Sequence, residues 1–556
     1  MPKDANRPNI LWVSFEDTSP RFACYGDPVA RTPNVDRLAA SACRFDNAFS
    51  VAGVCAPSRS AIITGMYPTF IGAHHMRTAH TNPATPELPT PYEVVPPPYV
   101  KAFTEYLRAA GYYCTNDKKT DYQFAPPSTA WDECGPGAHW RHRPEGAPFF
   151  AVFNLDWTHE SGMWEKEGSE PETDPGRVSL PPYLPDTPKA RRALARHYDN
   201  LAKADRRLGE ILDELEADGL SENTIVFIWS DHGEGLPRGK RWPYDSGIRI
   251  PLIVRWPGVI ELGSVSDELV SLIDLGPTVL SLAGCEVPRH MQGRAFLGPK
   301  AEPREYVYAT RDRHDVSYDM VRAVRDKRFK YIRNYCPQVP YLDWIPYRNR
   351  HPVMHEIWRL HLAGELNEAQ QTLFRWPKPV EELYDCEEDP YELNNLAESP
   401  AHRAVISRLR SALDSWRERY DVWGDVPEEQ MVRQMWPGGV QPQTAPVVFI
   451  PIGDGANGVM PGEGTFRGPM LVQLHCATQG ASIAYRVEGE YGDRPAIQAA
   501  GDVDGGSGRA TGEADDRWML YTVPLRLDRG KYRIIARAER IGYKPSEVRE
   551  AKFEVN

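Results

Sequence analysis

The chain predicts an α/β protein: a large, mostly parallel central sheet flanked by helices, followed by an all-β sandwich at the carboxyl end. Three observations carry that prediction. Asn9-Ile-Leu-Trp-Val-Ser-Phe15, Phe149-Phe-Ala-Val-Phe-Asn-Leu155 and Asn223-Thr-Ile-Val-Phe-Ile-Trp-Ser230 are short continuous apolar runs, the pattern of parallel strands buried on both faces. Between them lie helical patterns, the longest from Ala190 to Asp213, suited to covering a sheet as a crossover. From Pro437 the texture changes. Pro437-Gly-Gly-Val-Gln-Pro-Gln-Thr-Ala-Pro446 reads as a linker, and short alternating strands follow at 470–475, 482–487, 518–523, 532–537 and 548–555. The expected division is an α/β domain over 1–436, with its own carboxyl-terminal subdomain from about residue 300, and a β-sandwich accessory domain over 437–556.

Composition sets limits on function. A net charge of −12 excludes a nucleic-acid binder held by bulk electrostatics, so any anionic ligand must meet a local basic pocket. No run of about 18 apolar residues is present, so no membrane span is expected. Met1 to Pro8 is polar and Asn9 to Phe15 is too short for a signal peptide. The nine cysteines are scattered, without CxxC metal spacing. A reduced cytoplasmic protein is the expectation, or a periplasmic one if a leader was removed.

Each apolar run ends in groups that carry chemistry. The first ends in Glu16-Asp17, a carboxylate pair where open α/β sheets bind ligands. The next motif, Val54-Cys-Ala-Pro-Ser-Arg-Ser-Ala-Ile-Ile-Thr-Gly65, puts a thiol just before a helix expected from Ser58. Helix N-termini favour anions, and Arg59 adds a charge that does not titrate away. A buried structural cysteine at a strand-to-helix turn is the plainer alternative. Thr32-Pro-Asn-Val-Asp-Arg-Leu-Ala39 reads as a helix start with Asn34 or Asp36 near its cap, and Lys101 to Gly111 as an amphipathic helix. Gly72-Ala-His-His-Met-Arg77 offers an anion pocket through His75, or a polar loop surface. Lys119 follows Asn116-Asp-Lys, and His159 follows the second apolar run beside Trp157, placed to titrate or to touch an anion. The third run ends in Asp231-His-Gly-Glu234, and Lys240 follows in Gly239-Lys-Arg-Trp-Pro-Tyr-Asp-Ser-Gly-Ile-Arg249. Asp231 is a hard oxygen ligand suited to calcium or magnesium, and His232 offers nitrogen. The stretch 335–379 is rich in Trp, Tyr, Arg and His, as a substrate-side wall or an oligomer contact would be.

Cys55-Ala-Pro-Ser-Arg-Ser-Ala-Ile-Ile-Thr-Gly65, with Glu16-Asp17, Ser230-Asp-His-Gly-Glu234 and Lys240, resembles the signature set of the formylglycine-dependent sulfatases of the alkaline phosphatase superfamily. The texture around Gly72–Arg77 and Lys119 is most similar to the sulfamidase branch. The resemblance covers about residues 8 to 420. It implies an alkaline phosphatase-like fold and oxidation of Cys55 to formylglycine by a formylglycine-generating enzyme. It also implies one divalent cation, calcium first and manganese or magnesium next, held by Glu16, Asp17, residue 55, Asp231 and His232. Arg59, Lys119, Lys240 and His159 would then meet the sulfate, with His159 as proton donor to the leaving group, and Arg249 would brace the loop. The chain departs from the family pattern in three places: Glu16 for an aspartate, His232 for an asparagine, and Asp121 where the family carries a histidine. The last departure makes His75 the candidate replacement. Gly480–Tyr485 and Gly530–Ala538 resemble the chitobiase-type carboxyl-terminal sandwich, which implies packing or carbohydrate binding.

The function expected is hydrolysis of a sulfate ester or sulfamate on a small molecule or saccharide, in a homo-oligomer. A phosphonate or phosphate ester hydrolase with the same groups is the first alternative, and a non-catalytic carbohydrate-binding protein the second.

Overall fold

The structure is a computed structural model that describes residues 7–164, 169–453, 462–489 and 517–556; the start of the polar stretch Met1 to Pro8 lies outside the described residues. The chain forms two compact units. The first comprises Met1–Tyr92, Lys119–Gln123 and Val152–Met431; the second comprises Glu93–Lys118, Phe124–Ala151 and Val432–Asn556.

The large sheet of the first unit uses strands β1 (Asn9–Phe15), β2 (Cys43–Phe49), β3 (Phe149–Leu155), β4 (Thr224–Ser230), β5 (Arg249–Arg255) and β6 (Ser264–Ser271). Their order is β3-β1-β4-β5-β2-β6. β1 pairs in parallel with β4, and β2 with β6; β5 runs against both β4 and β2. Every residue of β1, β3 and β4 is buried, which is why these strands read as unbroken apolar runs. The register puts Phe15 opposite Ser230, so Glu16-Asp17 and Asp231-His232 leave the sheet side by side. The amide of Glu16 also donates to the carbonyl of Leu155 (3.3 Å), which brings the end of β3 to the same edge.

Helix α1 (Pro33–Ala39) starts on a proline, where a missing N–H costs nothing. Its first amides are capped from elsewhere: Asp205 accepts from the amides of Asn34 (3.1 Å) and Val35 (2.8 Å). Asp36 instead accepts from the amide of Cys24 (2.9 Å). Helix α2 (Cys55–Thr64) is buried along its whole length. Helix α3 (Pro188–Ala217), the expected crossover, is longer than its apolar pattern suggested, and Asp205 lies on its buried face. A second, antiparallel sheet is built from β7 (Val307–Arg311), β8 (Val321–Arg325), β9 (Phe329–Asn334) and β10 (Glu381–Asp385) in the order β10-β9-β8-β7. Helix α4 (Pro352–Ala363) lies in the aromatic stretch between β9 and β10. Helix α5 (Arg403–Tyr420) shares a core with Tyr331 and Leu383 through Leu409, Leu413 and Trp416.

In the second unit, the strand Tyr113–Asp117 pairs in parallel with Glu133–Cys134. Two carboxyl-terminal sheets follow. One joins Val448–Ile452, Met470–His475 and Leu525–Leu527; the other joins Gly464–Phe466, Arg549–Val555, Gly530–Glu539, Ser482–Gly489 and Met519–Leu520. Their inward residues, among them Phe449, Val472, Leu525, Ile534 and Phe553, form one core, so the predicted sandwich is present. It packs on the earlier segment of its unit. Lys101 donates to the carbonyl of Gly480 (2.6 Å) and the hydroxyl of Ser482 (2.7 Å), and a Cβ at Gly480 would meet the carbonyl oxygen of Pro98 at 2.1 Å. No described helix is long and apolar enough to cross a membrane.

Candidate active site

The β1 and β4 ends, the start of α2 and the loop after β4 bring the sequence candidates together. Val54 is extended (φ −155°, ψ 149°) and caps α2, so Cys55 is the first helical residue rather than a residue before the helix. The helix begins three residues earlier than Ser58 because Pro57 lies in the first turn, where its absent donor is not needed. Two buried hydroxyl contacts fix this turn: Ser58 donates to the carbonyl of Asp231 (2.6 Å) and receives from Ser50 (2.9 Å).

The Cys55 sulfur lies 3.8 Å from Glu16 Oε1, 3.9 Å from Asp17 Oδ1 and 3.4 Å from His232 Nε2. Burial is the main reason its thiol is held well above the usual range. Asp17 has a left-handed backbone (φ 50°). Such strain persists only where neighbours over-determine it, and here the Asp17 amide donates to Asp231 Oδ1 (3.2 Å) while its carboxylate receives from the amide of Glu160 (2.7 Å). Each carboxylate has a basic partner. Lys240 sits 2.7 Å from Asp17, Arg59 Nε sits 3.0 Å from Asp231, and Lys119 pairs with Glu16. Burial pushes the Asp17 carboxyl up, but Lys240 and then His232 outweigh it and hold it well below the usual range. For Asp231 burial is likewise outweighed, by His232 and Arg59, and its pKa falls to about 2.

These residues fit a divalent cation. His232 Nδ1 lies 3.0 Å from the carbonyl of Gly233. That contact fixes the ring plane and sets Nε2 2.9 Å from Asp17 Oδ1, on the side of the carboxylates. Donor atoms of Asp17, Cys55, Asp231 and His232 lie within 4.8 Å of one another, as do those of Glu16, Asp17, Cys55 and His159.

His159 thus stands at the rim of the same cluster. Its Nδ1 accepts from the amide of Ser161 (3.4 Å) and lies 2.8 Å from the Ser161 hydroxyl, which leaves the proton of the neutral ring on Nε2. Burial, and then the charge of Lys240, lower its pKa to about 4. Arg59 is buried and gives Nη1 to Asn154 (2.9 Å), while its Nη2 has no partner among the described residues. An unpaired buried guanidinium nitrogen beside the cluster is a ready donor for an anion.

His75 is the one candidate set apart. Its Nδ1 accepts from the amide of Arg313 (3.3 Å), its ring lies 4.1 Å from that of His74, and burial with His74 and Arg313 holds it unprotonated. None of these partners belongs to the Cys55 cluster. The position two residues after Lys119 is filled instead by Asp121, 3.3 Å from the Lys119 ammonium and close enough to Cys55 and Arg59 to act on both through its charge. Arg249 donates to the carbonyl of Asp46 (2.9 Å), a bracing contact.

Sequence reasoning missed several residues. Buried Glu160 binds Arg241 through two bonds (2.7 and 3.0 Å) and lies 3.3 Å from Lys240; both residues directly follow a chosen candidate, and that adjacency was the available signal. Asn154 is an amide inside a buried apolar strand, which such strands rarely hold without a purpose. Tyr347 gave no local signal. It stands in the aromatic stretch between β9 and α4, with its ring 6.2 Å from that of His159.

The sulfatase family profile matches residues 8–132 and 137–285, and the profile "N-sulphoglucosamine sulphohydrolase, C-terminal" matches residues 233–344. An ulvan-active sulfatase of Formosa agariphila is 41% identical over 97% of this chain and 90% of its own length. The human N-sulphoglucosamine sulphohydrolase is 28% identical over 77% of this chain and 94% of its own. A protein solved in complex with its substrate D-glucosamine-2-N,6-O-disulfate shares the fold with a TM-score of 0.53 at 19% identity, over 76% of this chain and 100% of that one. The chain belongs to the sulfatase family, with the family's alkaline phosphatase-like fold, and is a sulfuric ester hydrolase.

Proposed function

We propose that the chain removes sulfate from a sulfated saccharide, using a formylglycine made from Cys55 by a formylglycine-generating enzyme. One observation carries this reading: a buried cysteine opens helix α2 within 3.4–3.9 Å of His232, Glu16 and Asp17, beside the unpartnered Nη2 of Arg59. The 41% identical relative, which acts on ulvan, supports a polysaccharide origin for the substrate.

The residues divide the work. Arg59, Lys119 and Lys240 neutralise the sulfuryl oxygens, and the N-terminus of α2 adds its dipole. Formylglycine would supply, as its hydrate, one hydroxyl whose oxygen bonds sulfur as the saccharide oxygen or nitrogen leaves, and a second that gives up its proton as the carbon–oxygen bond to the sulfate breaks and the aldehyde returns. Glu16, Asp17, Asp231 and His232 would hold a divalent cation, calcium by the hardness of three carboxylates, and that ion would polarise the sulfuryl oxygens and favour the ionised nucleophile. His159, neutral with its proton on Nε2, gives that proton to the departing oxygen or nitrogen. Glu160 keeps Lys240 and Arg241 in place through its ion pairs to both.

The test is peptide mass spectrometry across Cys55 in protein from the native host, with parallel turnover of an aryl sulfate and a phosphonate monoester. Replacement of the thiol sulfur by a carbonyl oxygen, with sulfate turnover that is lost in Cys55→Ala, is the expected result. An intact thiol in fully active protein, or dominant phosphonate turnover, overturns the proposal.

A further inference from the structure

Tyr347 is surrounded by cations that the reaction above does not use. The Arg77 guanidinium lies over its ring at 4.2 Å, and that of Arg350 lies 5.9 Å from the same ring and 4.3 Å over Trp164. The Trp164 and Tyr347 rings are themselves 5.0 Å apart. The Tyr347 ring also lies 6.2 Å from that of His159, the proton donor. Tyr347 therefore contacts both guanidinium groups and the group that meets the leaving atom.

The two arginines differ from their neighbours. Arg241 is matched by Glu160, Arg311 and Arg348 by Asp343, and Arg313 by Glu428. Arg77 has one carboxylate nearby, Asp315, whose Oδ1 lies 2.8 Å from its Nε. Exposed Arg350 pairs with no carboxylate among the described residues, and its guanidinium is held by ring stacking alone. Stacking orients the plane and leaves its edge donors pointing outward. The backbone is equally well fixed. Arg77 has a left-handed φ of 63°, locked by the Met76 amide on the Arg313 carbonyl (2.8 Å) and by Arg313 Nη1 on the Met76 carbonyl (3.1 Å). Arg350 ends a turn anchored by the buried pair Arg348–Asp343.

We propose that Arg77 and Arg350, held around Tyr347 and Trp164, form a second anion subsite that reads a carboxylate or a further sulfate on the saccharide bearing the scissile group. This rests on the saccharide reading above and deepens it: the substrate class is a polyanionic oligosaccharide, not a singly sulfated neutral sugar. The rings hold the two guanidinium planes, and the guanidinium edges take the second oxyanion of the saccharide, bidentate where that anion is planar.

The experiment measures binding, by titration calorimetry, to the full chain carrying Cys55→Ala. Three probes are compared: a sulfated disaccharide with a uronate carboxylate, its carboxyl-reduced counterpart, and a disulfated neutral disaccharide. The expected result is at least tenfold tighter binding of a doubly anionic probe than of the carboxyl-reduced one, and the probe that gains identifies the anion read. Arg350→Gln and Arg77→Gln should bring that ratio close to one, and Arg350→Lys should restore part of it. Equal binding of all three probes, no binding of any, or a ratio unchanged in both glutamine variants overturns the proposal. Because binding is read rather than turnover, failure of the sulfatase chemistry would show in the Cys55 test and leave this ratio intact.

Discussion

Ser161 decides which nitrogen of His159 carries the proton. With its amide and hydroxyl both on Nδ1, the ring keeps Nε2–H toward the cluster. Ser161→Ala removes one bond of about 1 kcal/mol and lets the ring turn, so kcat should fall up to about tenfold with KM nearly unchanged; an unaltered kcat would refute the positioning role. Glu160 acts differently. It is buried between Arg241 and Lys240, so Glu160→Gln leaves two buried cations short of charge. That loss should lower stability by roughly 3–5 kcal/mol, read as a shift in the denaturant midpoint, and activity should fall with it as Lys240 moves. The adjacent pair His159-Glu160 shows what was legible at this scale. Residues whose types announce chemistry beside a strand end were readable, and the second residue of each pair was not, because its role depends on a partner such as Arg241 that comes from another loop. His75 shows the converse: its type was right for an anion pocket, but Arg313 and His74 claim it.

Helix α2 and the loop carrying Lys240 and Arg241 are held together by a backbone contact at Gly53. The Arg241 amide donates to the Gly53 carbonyl (2.6 Å), and a Cβ on Gly53 would meet the Trp242 carbonyl oxygen at 2.5 Å. Neither partner is a flexible side chain, so Gly53→Ala must push the two elements apart. Overpacking of this kind costs about 1–3 kcal/mol, whereas a displacement near 1 Å at Lys240 should reduce kcat/KM by about a hundredfold. Activity measured well below the melting transition separates the two, and equal losses in both would show the contact to be merely structural. Elements of this unit were readable where burial is complete: β1, β3 and β4 lie within a residue of their apolar runs. What could not be read was pairing at a distance. Nothing in Arg249–Arg255 announces that β5 runs against its neighbours, and the antiparallel sheet β7–β10 closes over a gap that holds α4 and the Tyr347 stretch. The cap of α1 likewise comes from Asp205, far along the chain.

Over the whole molecule, the distribution of neutral buried histidines sets how the fold responds to acid. His197 and His351 have their pKa lowered to about 4, and His74 to about 3, in each case first by burial. Arg21 adds to the effect at His197, Arg241 at His351 and Arg322 at His74, with Asp17, Glu160 and Asp421 opposing. Above pH 6.5 these rings are neutral in the folded and unfolded chain alike, and they contribute no pH dependence. Below it, the unfolded chain takes up protons that the folded chain refuses, so stability falls with pH until the folded pKa is reached, by about 3 kcal/mol each for His197 and His351 and about 5 kcal/mol for His74. The carboxylates that basic partners hold low, Asp17 and Glu160 among them, add a further loss at lower pH, where the unfolded chain protonates them first. Denaturant midpoints should therefore begin to fall near pH 6.5, well above the carboxylate range. His197 has no partner on either ring nitrogen among the described residues, so His197→Leu should be more stable than the parent at pH 5, with the advantage shrinking toward pH 7.5. A stability curve flat down to pH 4.5, or a leucine variant whose advantage does not depend on pH, would show that these histidines do not set the acid limit.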